Sequence, residues 1–270
     1  MSEIMIYLFF LLIGFVYGLE IDTKLSLFTK EETLINITNM LNKHKIIILK
    51  NQNITKDEQI YISSYWGNLK KQPYGNRPLY KNKLLIISNT KKNKYTSRND
   101  HWHADLTPMK NPPSVTILYM YKLNNHLGLG NTLFIDMEKC LENIPYKYHK
   151  YLSKKALHTT CNFKKFNKEK VNEYFSHWHP LIFKNPRTNK NSLFISDFYI
   201  DHIDGFSVNK SKYIINKMLN ICNKYKYEHK WSQNDILIYD NINTIHYANF
   251  DYPIYASRII YSTRTYLNIY

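Results

Sequence analysis

The sequence predicts a mainly β chain with flanking helices, an α+β fold built around a β-rich core. Beyond residue 67 short apolar runs dominate, at 84–87, 115–121, 193–195, 236–239 and 258–266. Most of these runs are bounded by Asn, Gly, Pro or Asp, which favour turns and interrupt strands. Two stretches with helical spacing of apolar residues lie between them, at about 136–152 and 210–225. Helices packed outside a β-rich core would bury both kinds of apolar surface.

A first helix is predicted near the amino terminus, over about residues 30–43. Thr29 to Glu32 has capping-box spacing, in which a hydroxyl and a carboxylate each satisfy a free backbone N–H. Leu34, Ile37 and Leu41 then follow at helical intervals.

A buried strand and a second helix are predicted next. Residues 46–49 form a short apolar run rich in isoleucine, which favours a strand. Thr55 to Glu58 repeats the capping-box spacing, and Gly67 is a suitable residue to end the helix that it begins.

Length and charge limit the possible function classes. The chain has 270 residues, 44% of them hydrophobic, with no internal repeat or long linker, so one domain over residues 1–270 is predicted. The formal net charge of +16 would attract anions such as nucleic acid or acidic metabolites. Lysines are scattered, and Asn, Ile and Tyr are also abundant, which favours A/T-rich coding as the cause. The sequence has no recognised basic and aromatic motif, so nucleic acid is not an expected partner.

The three cysteines, Cys140, Cys161 and Cys222, are widely spaced and form no CxxC motif. A zinc site or a disulfide framework is therefore not expected, and buried free thiols in a reducing compartment are predicted.

The apolar run at residues 4–18 has two interpretations. It is too short for a stable membrane span, and it lacks the positively charged start of a signal peptide. We therefore expect it to form the first strands of the domain, in a cytoplasmic protein. A targeting segment for a secretory or organellar protein is the alternative.

The most informative segment is His103-Ala104-Asp105. In a strand, residues two apart point to the same face, so an imidazole and a carboxylate could meet one cation. His246 follows a later strand and could supply a third ligand, with Arg258 twelve residues beyond it. Two histidines and one carboxylate leave three positions of an octahedron open, which suits Fe(II) in an oxygenase. Zinc more often has three or four protein ligands in a tetrahedron.

Arg258 suggests the cosubstrate. A dicarboxylate that chelates iron at one end leaves its other carboxylate free, and a planar guanidinium can bind that group through paired hydrogen bonds. The ordered set of a His-x-Asp pair, a late histidine and an arginine one strand further on predicts iron with O₂ and a dicarboxylate cosubstrate.

These segments resemble the taurine dioxygenase (TauD/TfdA) family of Fe(II)/2-oxoglutarate oxygenases over nearly the whole chain. The resemblance is carried by the segments WHADLTPMKNPPSVTILYMYKL, GNTLFIDMEKCLENIP, HPLIFKNPRTNKNSLFIS, WSQNDILIYDNINTIHYANFDY and RIIYSTRT. It implies a double-stranded β-helix, a jelly-roll-like core. It also implies that the iron ligands are His103, Asp105 and His246.

Other residues are assigned through the resemblance alone. Thr132 and Arg258 match the positions that hold the distal carboxylate of 2-oxoglutarate, and Asn99 matches a position near the primary substrate. Two departures concern that substrate. Taurine-binding members have a second arginine where this chain has Ser262, and a histidine where it has Gln72.

The next arginine, Arg264, is predicted to lie on the opposite face of the strand from Ser262, if the strand is regular there. A sulfonate needs charge-assisted donors, so taurine is not the expected substrate.

The resulting expectation is a 2-oxoglutarate-dependent dioxygenase acting on a small molecule, anionic or zwitterionic given the basic chain. The alternative is a degenerate member of the family that binds a ligand or partner without turnover. Family members often form oligomers, which makes a homo-oligomer an expectation. Asp240 is predicted to support the strand end before His246, and His101 to lie beside the metal ligands without binding the ion.

Overall fold

The computed structural model describes residues 18–70, 78–89, 101–124, 128–160, 175–253 and 256–267. The strands of this part are β1 (Leu19–Ile21), β2 (Ile46–Leu49), β3 (Asn68–Leu69), β4 (Leu79–Tyr80), β5 (Leu84–Ser88), β6 (Val115–Asn124), β7 (Thr132–Asp136), β8 (Lys155–Thr159), β9 (Ser176–Pro180), β10 (Ile182–Lys184), β11 (Asn191–Leu193), β12 (Ile200–Ile203), β13 (Lys226–His229), β14 (Ile236–Asp240), β15 (Thr244–Ala248) and β16 (Ser257–Tyr266). The predicted first strands at residues 4–18 lie outside the described residues except for Gly18.

The described strands form four sheets, two of which face each other in the core, while the other two have the orders β12–β8–β9 and β10–β11. The larger of the facing sheets has the order β1–β2–β14–β6–β16–β5–β4, with β3 also paired to β16, and the smaller has the order β13–β7–β15. Apolar side chains from both sheets meet between them, including Ile48 and Leu118 from the larger sheet and Phe134 from the smaller. This pair of facing sheets confirms the predicted jelly-roll core, the double-stranded β-helix.

Helices cover the outer faces of both sheets. Their bounds are α1 (Glu31–His44), α2 (Lys56–Ser63), α3 (Met137–Glu142), α4 (His149–Leu152) and α5 (Val208–Cys222), with 3-10 turns at Ser64–Trp66, Tyr146–Tyr148 and Asn223–Tyr225. Helix α1 and helix α2 pack on the larger sheet. Helix α3 packs beside β11 and against β7 and β15 of the smaller sheet, while helix α5 packs against β12. Among the described residues, no helix is both long enough and apolar enough to cross a membrane.

The predicted helix over 136–152 is wrong as one continuous element. It is divided because Pro145 has an extended backbone, with ψ 144°, and begins a separate 3-10 turn. Proline lacks the N–H of an interior helical bond, and its ring clashes with the preceding turn.

Only one of the two predicted capping boxes forms. The Thr55 hydroxyl accepts a hydrogen bond from the Glu58 N–H at 3.2 Å, and the Glu58 carboxylate accepts one from the Thr55 N–H at 2.7 Å. Thr29 instead donates its hydroxyl to the carbonyl oxygen of Ser26 at 2.9 Å. Helix α1 therefore begins after Lys30, whose side chain makes no cap.

Cys140 in α3 and Cys222 at the end of α5 form a disulfide, with Cα atoms 5.1 Å apart. The prediction of free thiols is wrong for these two buried residues, and the argument for a reducing compartment loses that support. They are 82 residues apart in the sequence and meet because α3 and α5 pack together in one apolar cluster. Cys161 lies outside the described residues.

Candidate active site

His103 and His246 are brought together by their own main chains. The His103 N–H donates to the carbonyl oxygen of His246 at 3.0 Å, and the His246 N–H donates back at 2.7 Å. Their rings have centroids 4.2 Å apart. This bridge is isolated and not part of a regular strand, so the predicted strand geometry of the His-x-Asp pair is wrong. Leu106, which follows the pair, has a positive φ of 51°.

Asp105 completes the cluster. One potential ligand atom from each of His103, Asp105 and His246 lies within 4.8 Å of the others. All three side chains are buried, with exposed fractions of 1%, 3% and 8%. The structure thus brings together the three residues that the sequence singled out as metal ligands, from a loop and from β15.

Asn241 holds the main chain of Asp105 in place. Its side-chain oxygen accepts a hydrogen bond from the Asp105 N–H at 2.7 Å, and its amide nitrogen donates to the Asp105 carbonyl oxygen at 3.1 Å. The same nitrogen donates to the carbonyl oxygen of Pro113 at 2.9 Å. Sequence reasoning missed this residue, although its place in the turn before β15 was a usable signal.

Three donors hold the Asp105 carboxylate. Arg264 Nη2 donates to Oδ1 at 2.8 Å, while the hydroxyls of Tyr239 and Thr116 donate to Oδ2 at 2.9 and 3.2 Å. Burial alone would raise the pKa of Asp105, but the charge and hydrogen bond of Arg264 outweigh burial and hold this pKa well below its usual range. The carboxylate is therefore ionised and ready to bind a cation.

The predicted orientation of Arg264 is wrong. Ser262 pairs with Leu118 and Arg264 with Thr116 in unbroken register, and the irregularity of β16 falls earlier, between Ile259 and Ile260. Residues two apart in a regular strand share a face, so Arg264 points into the core on the same side as Ser262. It is a site residue that sequence reasoning had set aside.

The two imidazoles suit metal binding. His103 Nδ1 lies 2.8 Å from the carbonyl oxygen of His101, which leaves Nε2 for another partner. His246 Nδ1 is buried with no hydrogen-bond partner in the part of the chain that the structure describes. Burial, and then the neighbouring His103, lower the pKa of His246 to about 3, while burial lowers that of His103. Both rings are thus neutral, the form that binds metals.

Arg258 and Thr132 both lie close to Trp231. The indole N–H of Trp231 donates to Thr132 Oγ1 at 2.9 Å. The guanidinium carbon of Arg258 is 6.0 Å from the Trp231 ring centroid and 5.6 Å from that of Tyr252. Arg258 Nε is buried and has no hydrogen-bond partner among the described residues. A buried guanidinium with an unused donor fits the distal carboxylate of 2-oxoglutarate.

Of the three residues assigned to the substrate, one is described. Ser262 is fully buried, and its hydroxyl has no hydrogen-bond partner in the described ranges. Asn99 and Gln72 lie outside the described residues.

Asp240 and His179 are buried residues whose hydrogen bonds fix the segments around the candidate ligands. Asp240 accepts hydrogen bonds from the N–H groups of Ile242 and Asn243, both at 3.0 Å, and forms a buried ion pair with Arg187. This agrees with its predicted role at the strand end. His179 is buried, and its Nε2 lies 3.0 Å from the carbonyl oxygen of Met109.

His101 lies beside the three candidate metal ligands, and among the described residues the group of side chains that could hold an ion consists of His103, Asp105 and His246. Its Nδ1 is 3.7 Å from Asp197 Oδ2, and its ring stacks on Phe198 at 5.6 Å.

Comparison with known proteins identifies the family. The profile described as "Taurine catabolism dioxygenase TauD, TfdA family" matches residues 16–265. The chain belongs to this family. The resemblance stated from the sequence is thereby confirmed.

The relatives found by comparison have low sequence identity to this chain. The chain is 25% identical to pentalenolactone F synthase of Streptomyces arenae over 166 residues, 54% of this chain and 54% of that protein. It thus spans about half the length of that relative. It is 22% identical to the alpha-ketoglutarate-dependent dioxygenase cnsM of Penicillium expansum over 244 residues, 81% of this chain and 67% of the other. A solved taurine dioxygenase from Burkholderia xenovorans matches with a TM-score of 0.77 at 18% identity, covering 93% of this chain and 86% of that one, which shows a shared fold.

Proposed function

We propose that this protein is an Fe(II)- and 2-oxoglutarate-dependent dioxygenase that oxidises a small organic substrate and releases succinate and CO₂. The observation that carries the proposal is the convergence of His103, Asp105 and His246 on one buried point. Two imidazoles and one carboxylate on one face leave three octahedral positions for a bidentate cosubstrate and O₂. Family membership supports the same chemistry.

Arg258 and Thr132 are proposed to bind the cosubstrate. A guanidinium can donate two parallel hydrogen bonds to one carboxylate, and the buried Nε of Arg258 has a donor to spare. The Thr132 hydroxyl already accepts from Trp231, so its own proton is available to a second acceptor. Together they would fix the end of 2-oxoglutarate that is remote from the metal.

The protein's other task is to exclude water and hold its ligands still. Bound ferrous iron, with 2-oxoglutarate and O₂, supplies the oxidising chemistry. The chain contributes a buried carboxylate fixed by three donors and two neutral imidazoles fixed by a main-chain bridge. Burial of all three ligands limits the access of water to the reaction.

The primary substrate is proposed to be a small zwitterion or anion other than taurine. Ser262 replaces an arginine of taurine-binding members, and Arg264 is engaged with Asp105. Asp197 favours the zwitterion, because its Oδ1 is buried without a hydrogen-bond partner among the described residues. Its other oxygen lies near His101, two residues from a proposed ligand. A cationic group on the substrate would satisfy this carboxylate.

Anaerobic reconstitution tests the proposal. The protein is loaded with Fe(II) and 2-oxoglutarate, exposed to O₂ with a panel of zwitterions and anions, and assayed for succinate. We expect release by the unmodified chain, loss in His103→Ala, and retention in the matched control His202→Ala, whose imidazole pairs with Asp201 away from the cluster. Binding of 2-oxoglutarate with no succinate across the panel would favour the degenerate alternative.

A further inference from the structure

We infer that Arg264 is a positioning residue that, with Tyr239 and Thr116, restricts Asp105 to a single metal contact through Oδ1. The inference rests on the proposed function, because it concerns how this chain presents a ligand to the metal. Arg264 and Asp105 are both buried, with side-chain exposures of 6% and 4%, and lie on different segments of the chain. Their contact is therefore a feature of the folded site.

The argument follows from the acceptor capacity of a carboxylate. An ionised carboxylate has about four lone-pair sites, two on each oxygen. Oδ2 accepts hydrogen bonds from the hydroxyls of Tyr239 and Thr116, which use both of its sites. Oδ1 accepts one bond from Arg264, which leaves one site. A cation approaching Asp105 thus finds a single free lone pair, on Oδ1.

One-point binding has a direct consequence for the reaction. If Asp105 used both oxygens, it would take one of the three positions that the cosubstrate and O₂ need. Such binding would also displace Tyr239 or Thr116 from Oδ2 and leave a buried hydroxyl without its partner, which is unfavourable. The bond from Arg264 Nη2 holds Oδ1 while the two hydroxyls hold Oδ2, so rotation of the carboxylate would break bonds at both oxygens.

A purely structural ion pair is the competing explanation, and metal affinity separates the two. Removal of a nearby positive charge would by itself strengthen the binding of a cation. Loss of Arg264 would also raise the pKa of Asp105, so the affinity is compared at two pH values. Metal binding that is equally weakened at both pH values would report lost orientation of Asp105. A structural pair would change the unfolding temperature and leave the metal affinity unchanged or higher.

The experiment is a titration of the metal-free full chain with Mn(II), followed by the electron paramagnetic resonance signal of the free ion. We expect Arg264→Gln to raise the Mn(II) Kd by about 10–100-fold, the usual effect of losing a group that orients a ligand. The Mn(II) Kd of Arg264→Lys should lie between those of the unmodified chain and Arg264→Gln, because an ammonium can keep one bond to Oδ1. The matched control is Lys50→Gln, which removes a 2.8 Å ion pair to buried Asp235 and should change the Kd by less than about twofold.

Each outcome bears on one proposal. An Arg264→Gln chain that binds Mn(II) as tightly as the unmodified chain, or more tightly, overturns the positioning role. If His103→Ala also binds Mn(II) normally, the proposed function fails with it, so the two failures are distinguishable.

If Arg264→Gln does not fold, Tyr239→Phe tests the same inference. It frees one site on Oδ2 without a change of charge. We expect it to keep Mn(II) affinity and to weaken 2-oxoglutarate binding to the Mn(II)-loaded chain. Unchanged 2-oxoglutarate affinity would overturn the inference.

Discussion

Replacement of Arg258 by alanine is expected to weaken 2-oxoglutarate binding with little effect on metal binding. The guanidinium is buried between Trp231 and Tyr252, and its Nε has no hydrogen-bond partner among the described residues. It is therefore held ready for an acceptor that arrives with the cosubstrate. The metal ligands form a separate cluster, so their arrangement should survive the substitution.

The size of the effect follows from the bonds that would be lost. A hydrogen bond to a charged group contributes about 1.5–3 kcal/mol, so two parallel bonds contribute at least about 3 kcal/mol. Since about 1.4 kcal/mol corresponds to a tenfold change in Kd, the Kd for 2-oxoglutarate should rise by about 100-fold or more. Arg258→Lys should lose less, because one charged donor remains.

The assay is an anaerobic titration of the metal-loaded protein with 2-oxoglutarate. Lys122→Ala is the matched control, because Lys122 is an exposed cation on β6 that pairs with Ile259, next to Arg258. It removes the same charge from the chain without entering the site. An Arg258→Ala protein whose Kd stays within about twofold of the control would refute the reasoning.

Three further predictions follow from the structure. His103→Ala should abolish Mn(II) binding and succinate release, and full turnover by the purified variant would remove the ligand assignment. Gly130→Ala should lower stability by more than about 1 kcal/mol, because Gly130 has φ +76° and an added Cβ would lie 2.7 Å from Tyr252 and 3.2 Å from Arg258 Nη1. The 2-oxoglutarate Kd of Gly130→Ala should rise as well. A variant with an unchanged melting temperature and an unchanged 2-oxoglutarate Kd would contradict this prediction. Burial lowers the pKa of His179 from 6.5 to about 4, so the folded chain binds fewer protons than the unfolded chain between these values. The free energy of unfolding should therefore fall by about 2 kcal/mol between pH 7 and pH 5 through this group, and urea midpoints that shift equally in His179→Gln would contradict it.

Much of the fold was predictable because apolar periodicity reports which face is buried. Leu34, Ile37 and Leu41 are buried on one face of α1, as their spacing predicted. The helix that failed, over 136–152, contained a proline whose effect on the backbone outweighed the periodic pattern. Local capping was less certain, since the Thr29 hydroxyl had a competing acceptor in the preceding turn.

The candidate site was predictable in its residues and less so in its geometry. His103 and Asp105 converge with His246 through an isolated bridge and a residue of positive φ, which a rule for regular strands does not foresee. The role of Asn241 depends on a turn that brings its amide against the Asp105 main chain. Contacts between segments more than a hundred residues apart leave little trace in a single sequence.

Arg264 shows a different kind of error. Its strand was predicted correctly, but the prediction of its direction misapplied the twofold alternation of strand residues. The structure places it on the same face as Ser262, where it reaches Asp105. A correct count of strand parity would have placed this arginine on the face of Ser262, while its contact with Asp105 follows only from the fold.

The paired main-chain hydrogen bonds between His103 and His246 have a consequence for altering this centre. Backbone groups, common to every residue except proline, set the separation of these two positions. New side chains introduced at 103 or 246, such as cysteine or glutamate, would be displayed at nearly the same separation as the native imidazoles. The scaffold could then be used to compare how different donor atoms select a metal ion while the backbone separation stays the same.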